Sequence, residues 1–124
     1  MNGRVLFFDN PRGWGFIRGK DNEDYFVHYS NIDNDGNKNL SDDDIVTFEV
    51  GIGANGKEQA IHVKPLYTRS MVKKILKEKG NHIKTIKDKN GNRRYIVFSP
   101  DDVMQMDERG MSFDELVLYA GLHY

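Results

Sequence analysis

Two short stretches, R-G-W-G-F-I at 12–17 and Y-F-V-H-Y at 25–29, restrict the fold more than any other part of the chain. Each sets large planar side chains against small or aliphatic ones with a period of two, the spacing of a β-strand whose two faces meet different surroundings. Trp14 and Phe16 share one face while Gly15 and Ile17 share the other, and Phe26 and His28 lie opposite Tyr25, Val27 and Tyr29. A soluble sheet normally turns its apolar face to the core and its polar face to water. Ile17 and Val27 suit a core, which leaves Trp14, Phe16, Phe26 and His28 pointing outward. Outward rings flanked by cations, here Arg12, Arg18 and Lys20, have the chemistry that stacking on unpaired bases requires.

The neighbouring sequence supplies the rest of a sheet. Residues 3–8 (G-R-V-L-F-F) read as a first strand, ended by the turn cluster D-N-P-R-G. Strands follow at 14–18 and 25–29, with the polar K-D-N-E-D as a hairpin loop between them. After a polar connection at 33–44 come strands at 45–50 and 58–64, separated by G-I-G-A-N-G-K. Five short antiparallel strands with a long link after the third suit an all-β Greek-key barrel of the OB type, whose second and third strands present an oligonucleotide-binding face.

These residues resemble a cold-shock domain over 3–66. G-R-V-L-F-F-D is similar to the family's G-x-V-K-W-F-N, R-G-W-G-F-I to K-G-F-G-F-I, and Y-F-V-H-Y to V-F-V-H-F. S-N-I-D-N-D-G-N-K-N-L is similar to S-A-I-x-x-D-G-x-K-x-L, so the matches run in order across about half the chain. The resemblance implies a barrel that binds single-stranded RNA or DNA by base stacking, without catalysis or cofactor. By position it implies base-facing roles for Phe7, Phe8, Trp14, Phe16, Phe26, His28 and Tyr29, with Arg12 near phosphate, and the flanking Lys20 is counted with these nucleic-acid-binding residues. Phe7 stands where the family usually has tryptophan, Leu6 where it has lysine, Asp9 where it has asparagine, and Trp14 where it has phenylalanine. The lost cation implies weaker or differently directed binding.

Composition excludes several classes of function. There is no cysteine, hence no disulfide framework, thiolate nucleophile or cysteine-type zinc site. Apolar runs are too short to span a bilayer, and M-N-G-R leads straight into a strand pattern, so a cytoplasmic protein is expected. The net charge of −1 hides a division: residues 1–66 carry −4, 67–99 carry +8 and 100–124 carry −5. His28 has no evident carboxylate or nucleophile partner in the sequence, and His62, His82 and His123 are scattered singly, so enzymatic chemistry is not expected. N-x-D-x-D-G at 31–36 resembles the start of a calcium loop, but Lys38 and Asp42 occupy the eighth and twelfth places, and a polar turn-rich loop accounts for the same residues.

Residues 67–124 form a separate α+β extension in this reading. A helix runs from Thr68 or Ser70 to Lys79, with Met71, Val72, Ile75 and Leu76 on one face and Gly80-Asn81 closing it. A hairpin follows around Asn90-Gly91. Ser99-Pro100-Asp101-Asp102 signals a further helix ending near Gly110. Ser112-Phe113-Asp114-Glu115 is a capping box that opens a last apolar helix. The basic hairpin offers Lys84, Lys87, Arg93 and Arg94 as accessory phosphate contacts, against the plainer reading of a solvated charged arm. The acidic stretch at 101–115 could instead cover that basic surface. At under 60 residues the extension is small for an independent core, which keeps open a different class of function, a protein-interaction or homodimerisation module.

Overall fold

A computed structural model describes residues 1–33 and 38–123. The Asn34-Asp35-Gly36 part of the calcium-like motif therefore lies outside the described residues. The chain divides into two units, Met1–Thr68 and Arg69–Tyr124.

The first unit is a closed five-stranded barrel in the order β1-β2-β3-β5-β4, built from β1 (Asn2–Asp9), β2 (Trp14–Gly19), β3 (Asp24–His28), β4 (Ile45–Ile52) and β5 (Glu58–Tyr67). The all-β barrel expected from the strand pattern is the fold observed. Neighbouring strands are antiparallel except β3 and β5, which run parallel through Phe26 and Gln59. Val5, Ile17, Tyr25, Val27, Ile32, Leu40, Val46, Phe48, Ala60 and Val63 fill the interior, joined by Phe8.

The β1–β2 ladder shifts register between Val5 and Phe7. Below the shift Val5 faces Ile17 in the core; above it Phe7 pairs with Phe16 and Phe8 with Gly15. A bulge of one residue reverses the alternation of every side chain beyond it. Strict alternation from Val5 would put Phe7 inside and Phe8 outside. The bulge at Leu6 does the opposite, leaving Phe7 40% exposed and Phe8 only 8%. The Phe8 ring needs the space above Gly15, where a Cβ would stand 2.9 Å from Phe8 Cδ2 and 2.2 Å from the Phe7 carbonyl oxygen.

In the second unit, α1 (Arg69–Glu78) buries Val72 and Leu76. It ends where Gly80 adopts φ +82°. There Asn81 N–H donates to the Leu76 carbonyl and Gly80 N–H to that of Lys77, the two bonds of a Schellman cap. Strands β6 (His82–Lys87) and β7 (Arg93–Phe98) form an antiparallel hairpin. Its turn is held by the Asp88 carboxylate, which accepts from the N–H groups of Asn90 and Asn92. The last helix, α2 (Phe113–Tyr119), starts in the expected capping box of Ser112 and Glu115 and buries Phe113, Leu116 and Val117.

The helix expected from Ser99 to Gly110 does not form. Asp102 takes a left-handed φ of +63°, which no helix tolerates in its first turn. Ser99 N–H donates to the Val103 carbonyl and Val103 N–H to the Ser99 hydroxyl. The chain then returns alongside β7, bridging at Phe98–Met104 and Tyr95–Met111. The reason lies in β7, whose residues Tyr95, Ile96 and Val97 are buried. Their backbone groups on the side away from β6 require partners. The return segment supplies them through Gln105 N–H to the Val97 carbonyl and a reciprocal pair between Tyr95 and Met111.

Gly15→Ala forces the new Cβ against the β1 backbone and the Phe8 ring. The expected loss is about 1–3 kcal/mol of barrel stability, in line with overpacked cores, measured as a lower urea midpoint. An unchanged midpoint would show that β1 and β2 do not approach this closely.

Candidate nucleic-acid interface

The outer face of the β2–β3 ribbon follows from its register. Trp14 pairs with His28, Phe16 with Phe26 and Arg18 with Asp24. Directly opposed residues of an antiparallel pair share a face, so these six side chains form one surface, with Ile17, Tyr25 and Val27 on the reverse in the core. Phe7 joins them from β1, opposite Phe16.

Four of the rings hold one another in place. Phe7 lies 5.6 Å from Trp14 and 5.8 Å from Phe16, and Phe16 lies 5.9 Å from Phe26 in a T-shaped contact. Trp14 and Phe26 are 6.2 Å apart and within 25° of parallel. Such separations are typical of attractive ring pairs. The barrel core is complete without these four side chains, which remain partly open to solvent.

His28 and Tyr29 form a second aromatic pair, with centroids 4.4 Å apart. Tyr29 has left the strand and begins a single 3-10 turn, Tyr29–Asn31, capped by His28 Nδ1, which accepts from Ser30 N–H. When the ring is neutral that acceptor role puts its proton on Nε2. Tyr29 is 50% exposed. Gly13, at φ +79°, makes room for it, since a Cβ there would come within 2.6 Å of Tyr29 Cδ1.

Other residues named from the sequence are placed differently. Phe8 is a correction: the bulge turns its ring into the core, so it has no base-facing role. Arg12 is exposed beside the rings, its backbone N–H and guanidinium both directed to Asp9. Lys20 sits past the end of β2, one alternation beyond Arg18. In the second unit, Arg94 is also corrected. Its guanidinium donates to the carbonyl oxygens of Arg109 and Gly110, pinning the return segment to β7. Lys84 and Lys87 stand exposed on β6, and Arg93 faces Lys87 across the hairpin.

At the end of the ribbon Arg18 grips Asp24 with two bonds, Nε to Oδ1 at 2.9 Å and Nη2 to Oδ2 at 3.3 Å. This hydrogen-bonded pairing holds the Asp24 carboxyl below its ordinary range. The Tyr25 hydroxyl donates to Asp21, which lowers that carboxyl and pushes the tyrosine up to about 12. The charges of Arg18 and Asp24 at this end of the ribbon thus match each other.

Sequence reading passed over a groove of about 350 Å³ next to Phe16 and Phe26, bounded also by Asp24, Asn55, Lys57, Glu58 and Gln59. Lys57 and Asn55 belong to the β4–β5 loop, turned by Gly56 at φ +78°. Loops at this place border the binding face of OB barrels, and the G-A-N-G-K composition was the available signal. His62 belongs to another surface, with Nδ1 2.9 Å from Asp33 and Nε2 3.8 Å from Glu49. Among the described residues no group of three or more His, Asp or Glu side chains could hold a metal. No helix of the described residues is long and apolar enough to cross a membrane.

Comparison with known proteins bears on the same region of the chain. The family described as "'Cold-shock' DNA-binding domain" matches residues 1–66. The chain belongs to that family. A cold shock-like protein CspC of Bacillus cereus is 44% identical over 64 residues, covering 52% of this chain and 98% of that protein. A cold shock-like protein of Thermotoga maritima is 44% identical over 64 residues, covering 52% and 96%. Cold shock protein CspD of Bacillus subtilis is 40% identical over 64 residues, covering 52% and 97%. Membership makes the barrel a nucleic-acid-binding domain and not an enzyme. The family match ends at residue 66, and these three relatives are covered almost whole by about half of the chain.

Two variants separate the faces of the cold-shock barrel. Phe8→Ala is expected to cost about 3–5 kcal/mol of stability, as core phenylalanine truncations do. Phe7→Ala leaves the urea midpoint nearly unchanged. Equal losses would contradict the bulge. Acid supplies a further check: because Asp21 and Asp24 have lowered folded pKa values, their stabilisation is complete above the unfolded value of about 3.9 and is lost as pH falls below it. The melting temperature should drop over that window, and less steeply in Asp24→Asn.

Proposed function

We propose that the cold-shock domain binds single-stranded RNA or DNA by stacking unpaired bases on Phe7, Trp14, Phe16 and Phe26, with His28 and Tyr29 extending the surface and Arg12 beside it. Lys20, past the ribbon's end, is at most a peripheral phosphate contact. The observation that carries this reading is the position of the four rings. They touch one another outside a core that is already closed, so packing alone gives no reason for them to be there. Base stacking is tolerant of sequence because every base has a π-face. His28 Nε2–H and the groove beside Phe16 and Phe26 offer polar groups to base edges. Holding bases apart in this way opposes strand pairing, which fits an RNA chaperone or a regulator of gene expression acting in the cytoplasm.

Trp14 is the only tryptophan, and its fluorescence reports stacking directly. Titration with a short pyrimidine-rich strand is expected to quench it. Phe16→Ala or Phe26→Ala should weaken binding by roughly 1–3 kcal/mol, the range found for single stacking side chains. A folded Phe26→Ala protein that binds as tightly as the parent would refute the platform.

A further inference from the structure

The second unit carries more unpaired cations than the barrel, where among the described residues Lys57 and Lys64 are also exposed without an ion-pair partner. In the barrel, Arg4, Arg12 and Arg18 each lie within ion-pair distance of a carboxylate, Asp43, Asp9 and Asp24 respectively. Residues 1–66 carry a net charge of −4. In the second unit Lys73, Lys74, Lys77, Lys84, Lys87 and Lys89 are all exposed. Among the described residues none of these six has an ion-pair partner.

Their placement concentrates the charge. Lys73, Lys74 and Lys77 lie on the exposed part of α1, off the stripe of the buried Val72 and Leu76. Lys73 and Lys77 are one turn apart, a spacing at which like charges repel. On the hairpin, Lys87 stands directly across from Arg93. Asp88, the acid between Lys87 and Lys89, is spent on the turn, where its bonds to the Asn92 and Asn90 N–H groups hold its carboxyl below the ordinary range.

Among the described residues none of the acids of 101–115 pairs with these six lysines. The return segment runs along the edge of β7 remote from β6. Asp107 there pairs with Arg109 at 2.9 Å, Glu115 serves the α2 cap, and Asp102 meets His82 at 3.0 Å. Repulsive lysine clusters left unmatched, in a unit fused to a base-stacking barrel whose own charge is negative, call for a polyanion.

We propose that the second unit is a phosphate-binding element for single-stranded nucleic acid, in which Lys73, Lys74 and Lys77 of α1 and Lys84, Lys87 and Lys89 of the hairpin neutralise backbone phosphates. This rests on the stacking reading of the barrel for the identity of the polyanion. It narrows the accessory contacts to lysines and leaves Arg94 a structural role. Electrostatic capture by the second unit then supplies affinity that the barrel's paired arginines do not.

The test uses the full chain and a dye-labelled pyrimidine strand of about 20 nucleotides, longer than one OB fold covers. Affinity is read by anisotropy as a function of salt, with Trp14 fluorescence followed in parallel. The parent is compared with Lys73→Gln/Lys74→Gln/Lys77→Gln and with Lys84→Gln/Lys87→Gln/Lys89→Gln. Each lysine–phosphate contact contributes about 0.7 to the slope of log affinity against log salt for a single strand. Each triple variant should therefore lower the slope by about 2, equivalent to roughly 16-fold less salt sensitivity between 50 and 200 mM. Trp14 quenching at saturation should be unchanged. An unaltered slope in both variants overturns the inference while leaving stacking intact. Absence of Trp14 quenching in every protein overturns stacking instead, and the slopes still decide the lysines. Competition by polyglutamate as effective as by unlabelled strand at equal charge would assign the surface to acidic protein, against the proposal.

Discussion

A strand in a closed barrel has one side that must be filled and one that cannot be, and this division governs the N-terminal unit. The interior takes one layer of side chains, and Ile17, Tyr25 and Val27 supply the share of β2 and β3. Period-two geometry then leaves Trp14, Phe16, Phe26 and His28 no inward option. β1 would break the pattern by sending Phe7 inside, but the bulge at Leu6 turns that ring out and brings Phe8 over Gly15. One extra residue in one ladder thus does two things. It completes the core and adds the fourth ring to the outer cluster.

That cluster has consequences beyond burial. Edge and tilted contacts among Phe7, Trp14, Phe16 and Phe26 restrict each ring's rotation, so in the proposed stacking mode a base meets a surface already largely ordered. Ordering done in advance reduces the entropy lost on binding. The backbone contributes as well, since Gly13 clears the seat of the Tyr29 ring and His28 caps the turn in which Tyr29 stands.

Alternation made β2 and β3 legible in the sequence, because their inner and outer residues differ in kind as well as position. Family motifs in the right order made the barrel legible too. Phe7 and Phe8 were not separable in this way: adjacent identical rings give no periodic signal, and a bulge is set by pairing with β2. The helix misread at 99–110 has a similar origin. Ser99-Pro100-Asp101 is a sound local start signal, but V-M-Q-M-D-E offers no apolar stripe for a helix to bury. The open edge of β7 needed partners, and that demand comes from residues Tyr95 and Val97, which lie before the segment. Arg94 looked like a surface cation for the same reason, since its carbonyl partners belong to the return segment. α1 and α2 were readable because Gly80 and the Ser112–Glu115 box act within a single turn.

Charge follows the division between the units more closely than it follows the whole chain. Asp24 is held below the usual carboxylate range by Arg18, so this pair stays ionised and closed at neutral pH. A phosphate approaching the end of the ribbon meets a neutralised cation and must displace a two-bond partner to use it. In the proposed stacking mode, ring contact is the part of barrel binding that salt barely screens. Charge capture by free lysines has the opposite character, being strong at low salt and steeply weakened as counterions accumulate. Stacking without free charge discriminates paired from unpaired bases, since only unpaired ones present a face. Lysines without stacking would bind duplex and single strand alike. In the proposed arrangement, joining the two in one chain lets stacking choose the conformation of the strand and the lysines raise its local concentration.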